Sequence, residues 1–184
     1  MLQAEYLADW WTLMQHHRAP TRLLDWTHSP LVALYFAANE DWEMDGALWC
    51  VHRPSIFTRS NVKFGEPPKE ASSDEPRYWW VDSPTSRVLA FDRTHPTERM
   101  VAQQGTFTIS QDLLLDHTVG LTDVMPEEDI DESPPRLLRR KYTIPSSAKA
   151  ELMRNLRHMN VTAVALFPGI DGFGREMDEI VRLG

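Results

Sequence analysis

Apolar positions recur at three- and four-residue spacing near the start of the chain. Leu2, Tyr6, Trp10, Leu13 and His17 share one face of a helix predicted over residues 3–16, and Pro20 stops it. Residues 21–26 read as short and extended, with Leu23 and Leu24 suited to a strand. Ser29 before Pro30 marks the next helix start: the serine oxygen caps free N–H groups, and proline needs none at the first helical position. From Leu31 to about Asn39 the chain is apolar nearly all round, the pattern of a central buried helix.

Further on the pattern is less regular. Residues 46–52 read as a strand, whereas residues 53–78 are rich in Pro, Ser, Glu and Lys without periodicity and read as a loop or insertion. Residues 86–91 and 106–110 are short strands, and between them Thr94-His95-Pro96 opens a helix that Gly105 ends. Residues 116–135 read as an acidic, Pro-containing linker. Residues 138–144 are a strand, and Pro145-Ser146-Ser147 leads a helix to about Met159, closed by Asn160. Residues 162–167 (TAVALF) read as a buried strand, Pro168-Gly169 as a turn, and a last helix starts near Gly174. Strands and helices mix without the alternation of a doubly wound sheet. The expectation is one α+β domain over residues 1–184, with short mixed strands packed on the central buried helix.

Composition narrows the function classes. Lys plus Arg is 19 and Asp plus Glu is 27 in 184 residues, a net charge of -8, so the bulk footprint of a nucleic-acid binder is absent. No apolar run is long enough to span a bilayer, and no basic-then-apolar signal opens the chain, so a cytoplasmic protein is expected. The single Cys50 excludes an internal disulfide; inside an apolar strand it is expected to be a buried, inert thiol. The seven Trp are read as packing groups, with Trp26 the candidate for stacking on a base.

Candidate chemistry concentrates in one window, Gln15 to Pro30, with three His, two Arg, two Thr, an Asp and a Ser ahead of an apolar helix. Such groups, once buried, must be paired or used. Adjacent His16 and His17 point about 100° apart on a helix and chelate one metal poorly, so no metal is expected. His17 can cap the helix C-terminus, and His16 can act as a general base. Arg22 and Asp25 form either an ordering salt bridge or an anion grip in which Asp25 orients the planar guanidinium. Thr21, Thr27 and Ser29 add hydroxyls beside a helix N-terminus, which together suggest a phosphate or nucleotide pocket. Arg99 and Gln103 lie before a later strand. Asp171, between Gly169 and Gly172, is read as a turn residue.

The run QHHRAPTRLLDWTHSPLVALYFAA resembles the signature of the FRG domain, a bacterial family named for a Phe-Arg-Gly motif. Residues 99–107 (RMVAQQGTF) and 166–172 (LFPGIDG) fit the same family in the same order. The naming aromatic-Arg-Gly, expected upstream of the His pair, does not occur in this chain. The resemblance implies a place in bacterial conflict or phage defence. By a loose analogy to ADP-ribosyltransferase folds, Gln103 stands near the position of a catalytic Glu, NAD would be the cofactor, and the upstream arginine would hold it. An uncharged Gln weakens the electrostatic part of such catalysis. Two readings follow. In one, His16, His17, Arg22, Asp25 and Gln103 are catalytic candidates for group transfer from a nucleotide, with Thr21, Trp26, Thr27, Ser29 and Arg99 binding it. In the other, the same residues form a structural network in a non-enzymatic domain that binds a protein partner through its acidic, Trp-rich surface.

Overall fold

The computed structural model of the chain describes residues 7–17, 19–65, 85–93, 96–129 and 136–184. Helices and strands mix as an α+β protein, and the chain divides into two compact units, each drawn from three separate segments. Neither unit is therefore a continuous stretch that stands apart in sequence.

The first unit draws on residues 1–25, 51–93 and 107–139. It holds α1 (Leu7–His16), the start of β1 (Leu23–Thr27), the end of β2 (Gly46–Val51), α3 (Arg53–Phe64) and β3 (Val88–Phe91). Strand β1 is followed in the chain by α2 (Pro30–Asn39), and β3 by α4 (Glu98–Gln103), both in the second unit. Most of β4 (Gly105–Ser110), α5 (His117–Val124), β5 (Glu128–Asp129) and β6 (Arg136–Leu137) complete the first unit. The sheet runs in the order β1-β4-β3, with β3 antiparallel to β4 from Val88 opposite Ser110 to Phe91 opposite Phe107. The last pair stacks with ring centroids 5.5 Å apart. Val88, Leu89, Phe107 and Ile109 are buried, as are Ile56 of α3 and Leu121 and Val124 of α5.

Two expectations change in this unit. Residues 53–64, read as part of a loop or insertion, form α3, while residues 66–84 lie outside the described residues. The helix escaped a periodicity test because its buried positions are Ile56 and Ser60; the Ser60 hydroxyl donates to the Val88 carbonyl at 3.0 Å. Residues 117–124 of the expected acidic linker form α5, whose N-terminus is capped by Asp116 accepting from the Thr118 N–H at 2.6 Å. Residues 130–135 are not described.

The second unit draws on residues 26–50, 94–106 and 140–184. Beside α2, most of β2 and α4 it contains most of β7 (Arg139–Ile144), α6 (Ser146–His158), α7 (Ala163–Leu166) and α8 (Ile170–Leu183). Strands β2 and β7 pair. Helix α2 is central as expected: Val32, Tyr35 and Ala38 join Met153, Leu156, Ala163, Leu166 and Phe167 in one buried cluster. Only Pro30 and Leu31, at the helix start, are exposed. Residues 163–166, expected as a strand, are instead α7. The Thr162 hydroxyl caps it by accepting from the Ala165 N–H at 3.3 Å, and a short apolar run does not distinguish strand from helix. Helix α8 starts at Ile170, ahead of the expected Gly174, so Asp171 sits in its first turn and pairs with Arg175 at 2.9 Å. Gly169, at φ 93°, supplies the left-handed entry to α8. Cys50 is exposed, not buried. No helix among the described residues is long and apolar enough to cross a membrane.

Candidate functional site

The polar window begins in the first unit. Helix α1 ends where the His17 N–H donates to the Leu13 and Met14 carbonyls, both at 3.1 Å, and the His17 side chain is exposed. The side chain of His16 lies outside the described residues. The Thr21 hydroxyl donates to the Gln15 side-chain oxygen and accepts from the Leu23 N–H at 3.3 Å. That local turn delivers the chain into β1. The Arg22 guanidinium lies 5.5 Å from the ring centre of Trp11, a cation–π contact that holds the side chain in one place. Asp25 is exposed.

The window continues in the second unit, where the three motif segments meet. The Thr27 hydroxyl donates to the Gln103 carbonyl at 2.7 Å and accepts from the Ser29 N–H at 3.0 Å. The His28 N–H donates to the Gln104 carbonyl at 3.0 Å. Gln104, at φ 49°, closes α4 in the left-handed conformation. The Gln103 side-chain amide donates to the Leu166 carbonyl at 3.0 Å, which ties the second motif to the third. The Arg99 guanidinium lies 4.7 Å from the Phe167 ring centre, and Arg175 lies 4.2 Å from the same ring. Ser29 caps α2 as the Ser-Pro pair predicts, accepting from the Val32 N–H at 3.4 Å. Its carbonyl takes the Ala33 N–H, and Pro30 has none to offer. Trp26 is half-buried. The structure thus brings Thr27, Ser29, Gln103 and Arg99 together in one unit, while Thr21, Arg22 and Asp25 belong to the other.

Sequence reasoning missed a second polar cluster on the inner face of α8. Glu176 and Glu179 are 6% and 4% exposed. Glu176 pairs with Arg157 and accepts from the Val164 N–H at 3.3 Å. The Tyr35 hydroxyl donates to Glu179 Oε1, and the Asn39 amide donates to the same oxygen at 3.1 Å. Burial raises the Glu179 carboxyl above its usual range, an effect opposed by the Tyr35 bond and reinforced by Glu176. Burial and then the Glu179 bond push the Tyr35 hydroxyl upward as well. Glu179 lines a cavity of about 300 Å³ with residues 39–41 and with Arg175, Asp178 and Arg182. The Tyr35-to-Glu179 partnership spans 144 positions, so no local pattern announces it. Among the described residues no three His, Cys, Asp or Glu side chains come together to hold a metal ion.

The family model of the FRG domain matches residues 2–46, in agreement with the resemblance carried by the first motif. The second and third motifs lie beyond the matched stretch. No curated protein and no solved structure matches the chain.

Proposed function

We propose that this FRG-type chain works as a binding module, and that the polar residues of its signature are a structural network rather than a reaction centre. The observation that carries this reading is the fate of the Thr27 hydroxyl. Its one proton goes to the Gln103 carbonyl, and its oxygen takes the Ser29 N–H. Thr21, Ser29 and Gln103 are committed to frame bonds in the same way. The Gln103 side chain is anchored by its amide N–H to the Leu166 carbonyl, a bond that serves the frame. Binding to a protein is supported by the exposed apolar residues of α8, which a chain of net charge -8 otherwise has no reason to present to water.

A second reading keeps one observation in its favour. Arg22 is held over Trp11, and an arginine fixed by stacking loses little freedom on gripping a phosphate. A thermal-shift screen against NAD, ATP, GTP, ADP-ribose and inorganic phosphate separates the two. The binding-module reading expects no shift. A shift of several degrees, such as about 2.7 kcal/mol of ligand stabilisation would produce, overturns it if Arg22→Ala removes the shift in a folded protein. The substrate would then be a nucleotide, and NAD the first candidate cofactor.

A further inference from the structure

Helix α8 buries two carboxylates and leaves a row of apolar side chains in water. The face turned inward carries Glu176 and Glu179, while Ile170, Phe173, Met177, Ile180 and Val181 are 89%, 59%, 56%, 41% and 80% exposed. Ile170, Phe173, Met177 and Ile180 follow one another at spacings of three, four and three, the a/d seam of a two-stranded helical pair. We propose that this seam is the contact between two copies of the chain, joined by α8 against α8 about a two-fold axis. The inference rests on the binding-module reading and names its partner.

Three features fit a second copy. Identical seams are self-complementary, as a two-fold interface requires. The positions that border the seam carry no exposed charge: Gly174 and Val181 lie on one side and Leu183 and Glu176 on the other, while Asp171 with Arg175 and Asp178 with Arg182 pair along a different face, at 2.9 and 2.6 Å. Glu176, which would flank the seam, is turned inward and paired with Arg157. Two chains of net charge -8 can therefore meet here without like charges facing each other. Gly174 has open space around it, so the partner helix can approach closely beside Phe173 and Met177. Finally, the apolar face is a single helix wide, so the area it can bury stays below the ~800 Å² per partner of a standard interface, the size class of weak, reversible association.

Sedimentation equilibrium of the chain at about 1 to 100 µM tests this, a range that covers weak, reversible dimers. Met177→Glu and, separately, Val181→Lys serve as variants, with circular dichroism to confirm that each is folded. The expected result is a monomer–dimer equilibrium weakened about tenfold or more by either change, since Met177→Glu sets a charge in the seam and Val181→Lys sets one at its border. A dimer indifferent to both variants overturns the proposal. A monomer at every concentration overturns it too, and the nucleotide screen then tells which idea failed. With no nucleotide shift, only the choice of a second copy is lost; with a shift that Arg22→Ala removes, the binding-module reading falls with it.

Discussion

The Thr27 hydroxyl and the Gln103 carbonyl, 76 positions apart in sequence, meet at 2.7 Å. The same hydroxyl accepts the Ser29 N–H, so one side chain joins the first motif to the second and sets the entry to α2. Thr27→Val keeps the shape and removes both bonds. It is expected to lower stability by about 1–3 kcal/mol, because a partly buried carbonyl and N–H lose their partner. Thr27→Ser should recover most of that loss. Urea denaturation of the three proteins measures both effects.

Tyr35 is fully buried, and its hydroxyl donates to a carboxylate that is itself 4% exposed. Tyr35→Phe leaves Glu179 with Asn39 as its only side-chain donor among the described residues. A hydrogen bond to a charged group contributes about 1.5–3 kcal/mol, so a loss of that size is expected at neutral pH. The deficit should shrink in acid, as Glu179 takes up a proton at a pH above the usual carboxylate range. Equal destabilisation at both pH values would contradict the pairing.

Two glycines of α8 should respond in opposite directions. A Cβ at Gly172 would be driven into the Phe167 carbonyl oxygen, whereas nothing surrounds one at Gly174. Gly172→Ala is expected to cost roughly 1–3 kcal/mol through overpacking. Gly174→Ala should instead stabilise the helix by about 0.5–1 kcal/mol. Thermal unfolding at dilute concentration compares them, with melting temperatures moving to opposite sides of the unmodified chain.

His117 opens α5 half-buried, and burial lowers its affinity for a proton despite the facing Thr108 backbone and the neighbouring Asp116. The unfolded chain then takes up the proton first as pH falls. Its contribution is fully present above the ordinary histidine value of about 6.5 and is lost progressively below it. A stability profile from pH 8 to pH 5 should therefore decline through this window. His117→Phe should flatten that part of the curve, and an unchanged slope would assign the decline to another group.

Much of the architecture was legible because its causes are local. Ser29-Pro30 starts α2 through a side-chain oxygen three residues from the N–H it accepts, and that geometry lies within one short stretch of sequence. The first motif likewise marked a set of groups that must be paired or used, since hydroxyls and charges crowded ahead of an apolar helix need partners. Its partners in the other motifs were not legible. Nothing in residues 26–29 points to Gln103, and nothing in Gln103 points to Leu166.

Where local causes were weak, the tertiary structure decided. The TAVALF stretch satisfies a strand pattern equally well, and a cap at Thr162 together with a place in the α2–α6 core makes part of it α7. Helix α3 buries a serine where an apolar residue would have revealed it, because the Val88 carbonyl satisfies that hydroxyl. Helix α8 shows the limit most plainly. Its amphipathic spacing is written in the sequence, but spacing defines two faces without saying which turns inward. Arg157, Tyr35 and Asn39, distant in the chain, provide the partners that allow two glutamates to be buried and leave the apolar face in water.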